Sequence, residues 1–542
     1  MSWGRALFLS LLGLGVALVV AAFQDTPGYM DADYYFAGGV RLAQGYGLNE
    51  PFLWNYLDDP KGLPHPSNVY WMPLASLLAA LTMKLSGSAQ FWAGRMGFLV
   101  LAACLPPLTA WLSFTLTRQK GIATLAGLLA VFSAFYLPYL STTDTFVLYM
   151  VLGALFLLAV GNKPDLEDWR WRILQPFGLG FLAGLMHLTR ADGVLWLGMA
   201  FVAVTLNNFS HYKGQATGGS GNKTRFKLPV SRLIIPVSLV LIGYILVMGP
   251  WMLRNIAVLG APLAPGGGRA LWITQYNELF TYPANLLTPA RWFGSGLPAI
   301  MRTRLWALGQ NLQSTLAVQG EIFLIPLIIL GLWRLRHNRR VQLGSLAWLA
   351  TFLVMTVVFP FQGARGGFFH SGAAFQPLWW AVAPAGLERF IAWGVRVRGW
   401  QTIQAQRIFG AGLVGLAILL TVLITEGRVL GKDLSHPIWG ELAVHYNHLE
   451  QALRGVGAQA DETVMVNNPP GYFIAAGRPA IVTPFGDEQI LQRTADFYNA
   501  RYVLLEFDHA AGLDTLYNSP GDRQGLKYLF SVDGTRVFEV EY

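Results

Sequence analysis

Two carboxylates two residues apart, Asp31 and Asp33 in Gly28-Tyr-Met-Asp31-Ala-Asp33-Tyr34-Tyr35-Phe36, follow the first apolar run of the sequence. Acids at this spacing could chelate a hard cation or supply a general base. They could equally be solvated caps of an amphipathic helix over Tyr34 to Ala43. The segment continues to His65-Pro66-Ser67-Asn68-Val69-Tyr70-Trp71, an aromatic and proline-rich stretch. A third acid, Asp144 in Ser141-Thr-Thr-Asp144-Thr-Phe146, caps a turn between two later apolar runs. Whether these acids meet depends on the elements that carry them.

Of the 542 residues, 54% are hydrophobic and 13% charged, about half the charged fraction of a soluble domain. The apolar residues gather into runs that suit a hydrocarbon core about 30 Å thick, which roughly 20 helical residues cross. An anchor over Ala6–Phe23 is too long for a signal peptide and lacks a small-residue cleavage site. After it come Phe91–Leu116, Gly121–Leu140, Phe146–Val160, Pro176–Leu188, Gly193–Leu206, Leu233–Leu253, Ile322–Trp333, Val341–Phe361, Ala373–Trp393 and Ile408–Thr425, making eleven candidate spans. The fold class is therefore an α-helical polytopic membrane protein of about 11–13 spans. Cys104, the only cysteine, lies inside an apolar run and is expected to be inert core packing.

The net charge of +9 does not point to nucleic acid, because the basic residues form short clusters between apolar runs. With Arg5 in the cytoplasm, the clusters at 118–120, 163–172, 213–232, 334–340 and 396–407 all fall on the same side, as the positive-inside rule requires. The C-terminus is then extracytoplasmic. Residues Trp71 to Leu85 would invert this order if they spanned, so they are read as a helix in the outer leaflet. The stretch 211–227, rich in Gly, Ser and Lys, reads as a flexible cytoplasmic loop.

Residues 1–430 thus form a transmembrane domain, with 24–90 its first extracytoplasmic loop, and 254–321 lie on the same side. The tail, 431–542, changes character. Helical patterns at Ile438–Val456 and Asp487–Asn499 alternate with β-rich runs at Thr463–Val466, Ala480–Thr483, Tyr502–Leu505 and Arg536–Val540, which reads as a small extracytoplasmic α/β domain.

Three further motifs lie near span ends: His187-Leu-Thr-Arg190-Ala-Asp192-Gly193, Gly249-Pro250-Trp251-Met-Leu-Arg254-Asn255, and Gly363-Ala-Arg365-Gly-Gly-Phe-Phe-His370. With the acidic loop, Asp144 and the tail motifs Asn468-Pro469-Pro470-Gly471-Tyr472 and Gly477-Arg478-Pro479, the chain resembles the GT-C class of membrane glycosyltransferases. That class includes protein O-mannosyltransferases and the aminoarabinose transferases of lipid A. The likeness covers nearly the whole chain, but its motifs are degenerate and carry a class rather than a substrate.

The resemblance implies transfer of a sugar from a polyprenyl-phosphate donor, at the bilayer, to an extracytoplasmic acceptor: a protein, lipid or glycan. It makes Asp31 or Asp33 the general base and Asp144 a second outside acid near the donor phosphate. Asp33 and Asp144 are the candidate ligands if a divalent cation (Mg or Mn) takes part. Where some relatives have Glu-Lys, this chain has Pro64-His65, which makes His65 a substitute in substrate binding. Tyr70, Arg190, Arg254, Asn255 and Arg365 complete the candidate substrate contacts, with His370 beside Arg365 facing the lipid carrier. Independently, glycosyl transfer leaves negative charge on the departing phosphate, which arginines can bind bidentately. Arg254 could instead be an interfacial anchor, and Arg190 could simply pair with Asp192. A transporter or lipid flippase would show as many spans, but it would hold its polar residues near the bilayer midplane. A non-catalytic cell-envelope scaffold is the third reading.

Overall fold

The computed structural model describes residues 2–161, 168–217 and 231–541. Among the described residues, seven helices are long and apolar enough to cross a membrane: Trp3–Ala21, Phe91–Thr117, Lys120–Leu140, Ala191–Phe209, Leu233–Leu259, Arg339–Val358 and Thr402–Leu430. Three shorter apolar helices, Leu74–Ser86, Thr145–Ala159 and Ile325–Arg334, accompany them, as do Gln175–Thr189 and Gln376–Arg398. Each of the eleven apolar runs thus falls on a helix. Of 211–227, residues 211–217 continue the helix Val194–Thr217 and 218–227 lie outside the described residues.

Small residues bring these helices together, as expected where hydrocarbon surrounds the bundle and apolar burial adds little. Gln175–Thr189 and Ser231–Leu259 cross with Gly180 against the Val240 carbonyl and Gly243 against that of Phe177, so a Cβ at either glycine would overlap backbone. Leu74–Ser86 packs against Met30–Ala43, where Gly38 meets Ser76 and Gly39 meets Ala79. Cys104 departs from expectation: it is exposed on its helix rather than buried in the core.

The tail contributes five strands of a six-stranded sheet, and the first loop supplies the sixth. In chain order these are β1 (Phe52–Leu53), β2 (Thr463–Met465), β3 (Ala480–Ile481), β4 (Ala500–Leu505), β5 (Leu526–Val532) and β6 (Thr535–Val540). The spatial order is β1-β3-β2-β4-β6-β5, parallel from β1 to β4 and antiparallel beyond it. β4 shows why the sheet is buried on both faces. Tyr502 and Leu504 point into the core shared with the helical bundle, whereas Val503 and Leu505 join a second core with Met465, Leu491 and Phe538. The β5–β6 hairpin turns at Asp533 and Gly534, both at positive φ (46° and 85°), the Asp-Gly chemistry such tight turns need.

The first loop, residues 260–296 and the tail come together at one end of the bundle. Arg269 donates to the Leu57 carbonyl (2.8 Å), Tyr498 to that of Pro60 (2.7 Å), the Phe485 amide to that of Phe280 (2.9 Å) and the Trp439 indole to that of Thr26 (2.9 Å).

Candidate active site

Four consecutive polar residues end the helix-turn before Thr145–Ala159, and all are buried. Ser141 donates to Gln24 Oε1 (2.6 Å), Thr142 to the Pro27 carbonyl (3.0 Å) and Thr143 to the Ala32 carbonyl (2.9 Å). These bonds clamp the first loop onto the bundle and deliver Asp144 to it. Asp144 is the N-cap of Thr145–Ala159, accepting from the Thr145 amide and hydroxyl. Its other oxygen, Oδ2, accepts from the Tyr29 hydroxyl and faces His370.

His370 arrives from a distorted turn in which Gly366 adopts φ 115°, a left-handed conformation open to glycine. Its Nδ1 lies 3.0 Å from the Gly366 carbonyl and its ring stacks on Phe146 with centroids 4.0 Å apart. Nε2 is thereby aimed at two carboxylates, 3.1 Å from Asp144 Oδ2 and 3.3 Å from Asp31 Oδ2. Asp31 sits in the first turn of Met30–Ala43.

Charge settles unevenly over these groups. Burial pushes Asp31 up to about 6, moderated by the positive pull of His370. Burial would raise Asp144 too, but His370, Tyr29 and the Thr145 amide hold it below the usual carboxylate range. His370 is raised, because the two carboxylates outweigh its own burial.

Asp31, Asp144 and His370 form the one group among the described residues whose ligand atoms converge as a metal site requires, all within 4.8 Å of one another. Two carboxylates and an imidazole suit a first-row divalent ion such as Mn²⁺ or Zn²⁺ better than an all-oxygen Mg²⁺ site. The bond from Nδ1 to a backbone carbonyl is the outer contact that fixes a ligating histidine's tautomer.

Asp31 and His370 open on a cavity of about 400 Å³, walled also by Tyr35, Tyr70, Arg190, Arg365 and apolar side chains, whereas Asp144 is fully buried. Arg190 stands at the break between Gln175–Thr189 and Val194–Thr217, in extended backbone (φ −150°). Its Nε donates to Asp192 Oδ1 (2.9 Å), and Nη2 lies 3.4 Å from both the Gly367 carbonyl and Ser371 Oγ. Arg365 stacks over the Tyr276 ring at 5.3 Å, and no carboxylate lies within ion-pair distance of it among the described residues.

The remaining sequence candidates lie elsewhere. Asp33, two residues from Asp31 on the same helix, points to the tail, where its Oδ2 accepts from Asn468 Nδ2 (2.9 Å). Burial raises it to about 7, with the Asn468 bond opposing. It is not part of the group formed by Asp144, whose companions are Asp31 and His370. His65 is buried between Asp58 (2.8 Å) and Glu50 (3.9 Å), away from the cavity. Arg254 donates to the Leu48 carbonyl (3.1 Å) and to Asn255 Oδ1 (3.1 Å), while Asn255 reaches the Pro262 carbonyl (3.3 Å). Arg254 thus holds the first loop to its neighbouring span, whereas Asn255 ties the end of that span to the turn after it. Tyr29, Tyr35 and Tyr276 escaped the sequence reading, since single tyrosines in an aromatic-rich membrane protein carry no distinguishing pattern.

No protein-family model and no curated protein matches the chain by sequence. Solved structures do match it. ArnT from Cupriavidus metallidurans bound to undecaprenyl phosphate is similar at a TM-score of 0.54 and 10% identity, covering 99% of this chain and 98% of that one. The Archaeoglobus fulgidus oligosaccharyltransferase is similar at 0.52 and 13% identity, over 95% of this chain and 71% of that one. The same protein in complex with Zn and sulfate gives 0.51 and 13%, over 97% and 72%. At these identities the likeness is one of fold alone.

Proposed function

We propose that this chain is an integral membrane glycosyltransferase that moves a sugar from a polyprenyl-phosphate donor to a hydroxyl-bearing acceptor on the extracytoplasmic side. The observation that carries the reading is the Asp31–His370–Asp144 group at the wall of a largely apolar cavity that also holds Arg190 and Arg365. An apolar cavity suits the lipid end of such a donor, and two guanidinium groups suit its phosphate. In the neighbouring fold, ArnT holds undecaprenyl phosphate. The clustering of basic residues between alternate apolar runs supports a site outside the cytoplasm.

The transfer is a single displacement. The acceptor oxygen bonds to the anomeric carbon as the bond from that carbon to the phosphate oxygen breaks, its electron pair staying with the phosphate. The acceptor proton passes to Asp31, which turns Oδ2 to His370. The value near 6 leaves Asp31 largely ionised at neutral pH, yet basic enough to take a proton. Arg190 and Arg365 stabilise the charge left on the phosphate, which grows only as the bond breaks. A divalent cation, where bound, would be held by Asp31, Asp144 and His370 and would supply further positive charge at this wall.

The test is release of polyprenyl phosphate from a radiolabelled polyprenyl-phosphate-sugar mixture by the purified full-length protein in detergent. Wild type turns over at least one donor, and an Asp31→Ala, Asp144→Ala double variant does not. Undiminished turnover by the double variant overturns the assignment.

A further inference from the structure

A second cleft, of about 480 Å³, opens on the tail side of the same loop, and Met30 lines both it and the cavity described above. The two spaces therefore meet at the residue that precedes Asp31. Asn468, which bonds to Asp33, is part of the second cleft's wall.

The cleft sits where an open α/β sheet binds ligands, at the carboxyl ends of adjacent parallel strands. β2 ends at Met465 and leads into Asn467 and Asn468; its parallel neighbour β4 ends at Leu505 and leads into Glu506, Phe507 and Asp508. Glu506 is fixed by the Asn467 amide (2.8 Å) and the Tyr446 hydroxyl (3.3 Å). Asp533 reaches in from the β5–β6 turn. Phe507 is 84% exposed, although two acids flank it and Tyr517 is its ring neighbour at 6.2 Å.

Charge separates the two spaces. The first holds both signs, Arg190, Arg365 and His370 with Asp31 and Asp192. The second holds Glu506, Asp508 and Asp533 with His445, which lies 3.8 Å from Asp533, and none of its wall residues is Lys or Arg. Arg536, next to Thr535 of the wall, is committed to the Tyr517 ring and carbonyl and to Ser531. An anionic ligand is disfavoured here. Fixed carboxylates that accept from vicinal hydroxyls, beside an exposed aromatic face on which a sugar ring can lie, are the elements of a carbohydrate site.

We propose that this cleft is the acceptor subsite and that it takes a neutral carbohydrate, held next to the helical turn that carries Asp31. This rests on the transferase reading and names its acceptor class.

The experiment is direct binding to the full-length protein in detergent, by tryptophan fluorescence. The probes are neutral hexose and pentose oligosaccharides of two to six units, the same sugars carrying a phosphate, a basic peptide, and undecaprenyl phosphate. At least one neutral oligosaccharide is expected to bind. Phe507→Ala and Asp508→Asn are each expected to weaken it by at least about fivefold, leaving undecaprenyl phosphate affinity unchanged. The phosphorylated sugar is expected to bind less well than its neutral counterpart. Absence of binding by every neutral sugar, wild-type affinity in both variants, tighter binding of the phosphorylated form, or preference for the basic peptide overturns the proposal. Because binding is read without turnover, it can fail while the donor reaction stands, and the donor reaction can fail while it stands.

Discussion

Replacing each aspartate of the pair by asparagine separates a reacting carboxylate from a structural one. Asp31→Asn keeps the size of the side chain but removes the proton acceptor from the cavity wall. A positioned base contributes about 10²–10⁴ in rate, roughly 3–5 kcal/mol of barrier, so kcat should fall by that factor. Asp33→Asn retains an acceptor oxygen for Asn468 Nδ2 and loses only the charge that strengthens a 2.9 Å bond. The difference between a charged and a neutral hydrogen bond is about 1 kcal/mol. Were all of it to fall on the transition state, the rate would drop by about fivefold to tenfold; because burial holds Asp33 up at about 7, the folded state disfavours its charge, and the melting temperature should be unchanged or higher. The assay is donor turnover under saturating donor, alongside the melting temperature of each variant. An inactive Asp33→Asn protein of wild-type stability, paired with an active Asp31→Asn protein, would refute the assignment of roles.

Four further outcomes are expected. Arg365→Ala removes a guanidinium with no carboxylate partner, so it should weaken undecaprenyl phosphate binding by about tenfold or more and leave the melting temperature unchanged. Gly153→Ala would drive a Cβ into the Ala374 carbonyl, four residues beyond His370, costing about 1–3 kcal/mol and lowering stability and turnover together; Gly198→Ala, in open space, should leave both intact. His65 is raised to about 9: burial opposes its charging, but Asp58 and Glu50 outweigh it. A raised folded value contributes stability in full below the ordinary value near 6.5 and loses it as pH climbs through 9, up to about 3 kcal/mol; the melting temperature should fall from pH 7 to 9.5, and His65→Gln should flatten that slope. Chelation with EDTA should lower donor turnover, and Mn²⁺ should restore it better than Mg²⁺, given the imidazole among the ligands.

Much of the architecture is legible because lipid and water sort residues so strongly. Each apolar run, from Ala6–Phe23 to Ile408–Thr425, falls on a helix, since a buried run in hydrocarbon must satisfy its backbone internally. Three other features carry weaker or longer-range signals. β1 comes from Phe52–Leu53, more than 400 residues from its partner Ala480–Ile481, and a two-residue strand has no periodicity to read. β5 was missed because Leu526–Val532 alternates poorly, although the Asp533-Gly534 turn beside it was a usable signal. His370 stood out only as the partner of Arg365, because its approach to Asp144 spans 226 residues of chain.

The acidic pair itself shows how local geometry overrides spacing. An Asp-x-Asp on extended or irregular backbone can turn both carboxylates to one ligand. Here the helix begins at Met30, ahead of both acids, and at about 100° per residue two positions apart lie about 200° around its axis. Asp31 and Asp33 must then face opposite sides, whatever ligand either one meets. One side is met by Asp144 and His370 from the bundle, the other by Asn468 from the tail. The missing clue was the helix start, since Tyr29 carries no capping side-chain bond and the sequence suggested Tyr34 as the first helical residue. A single turn of helix thus converts one motif into two functions: a group at the reaction cavity and a latch between loop and tail.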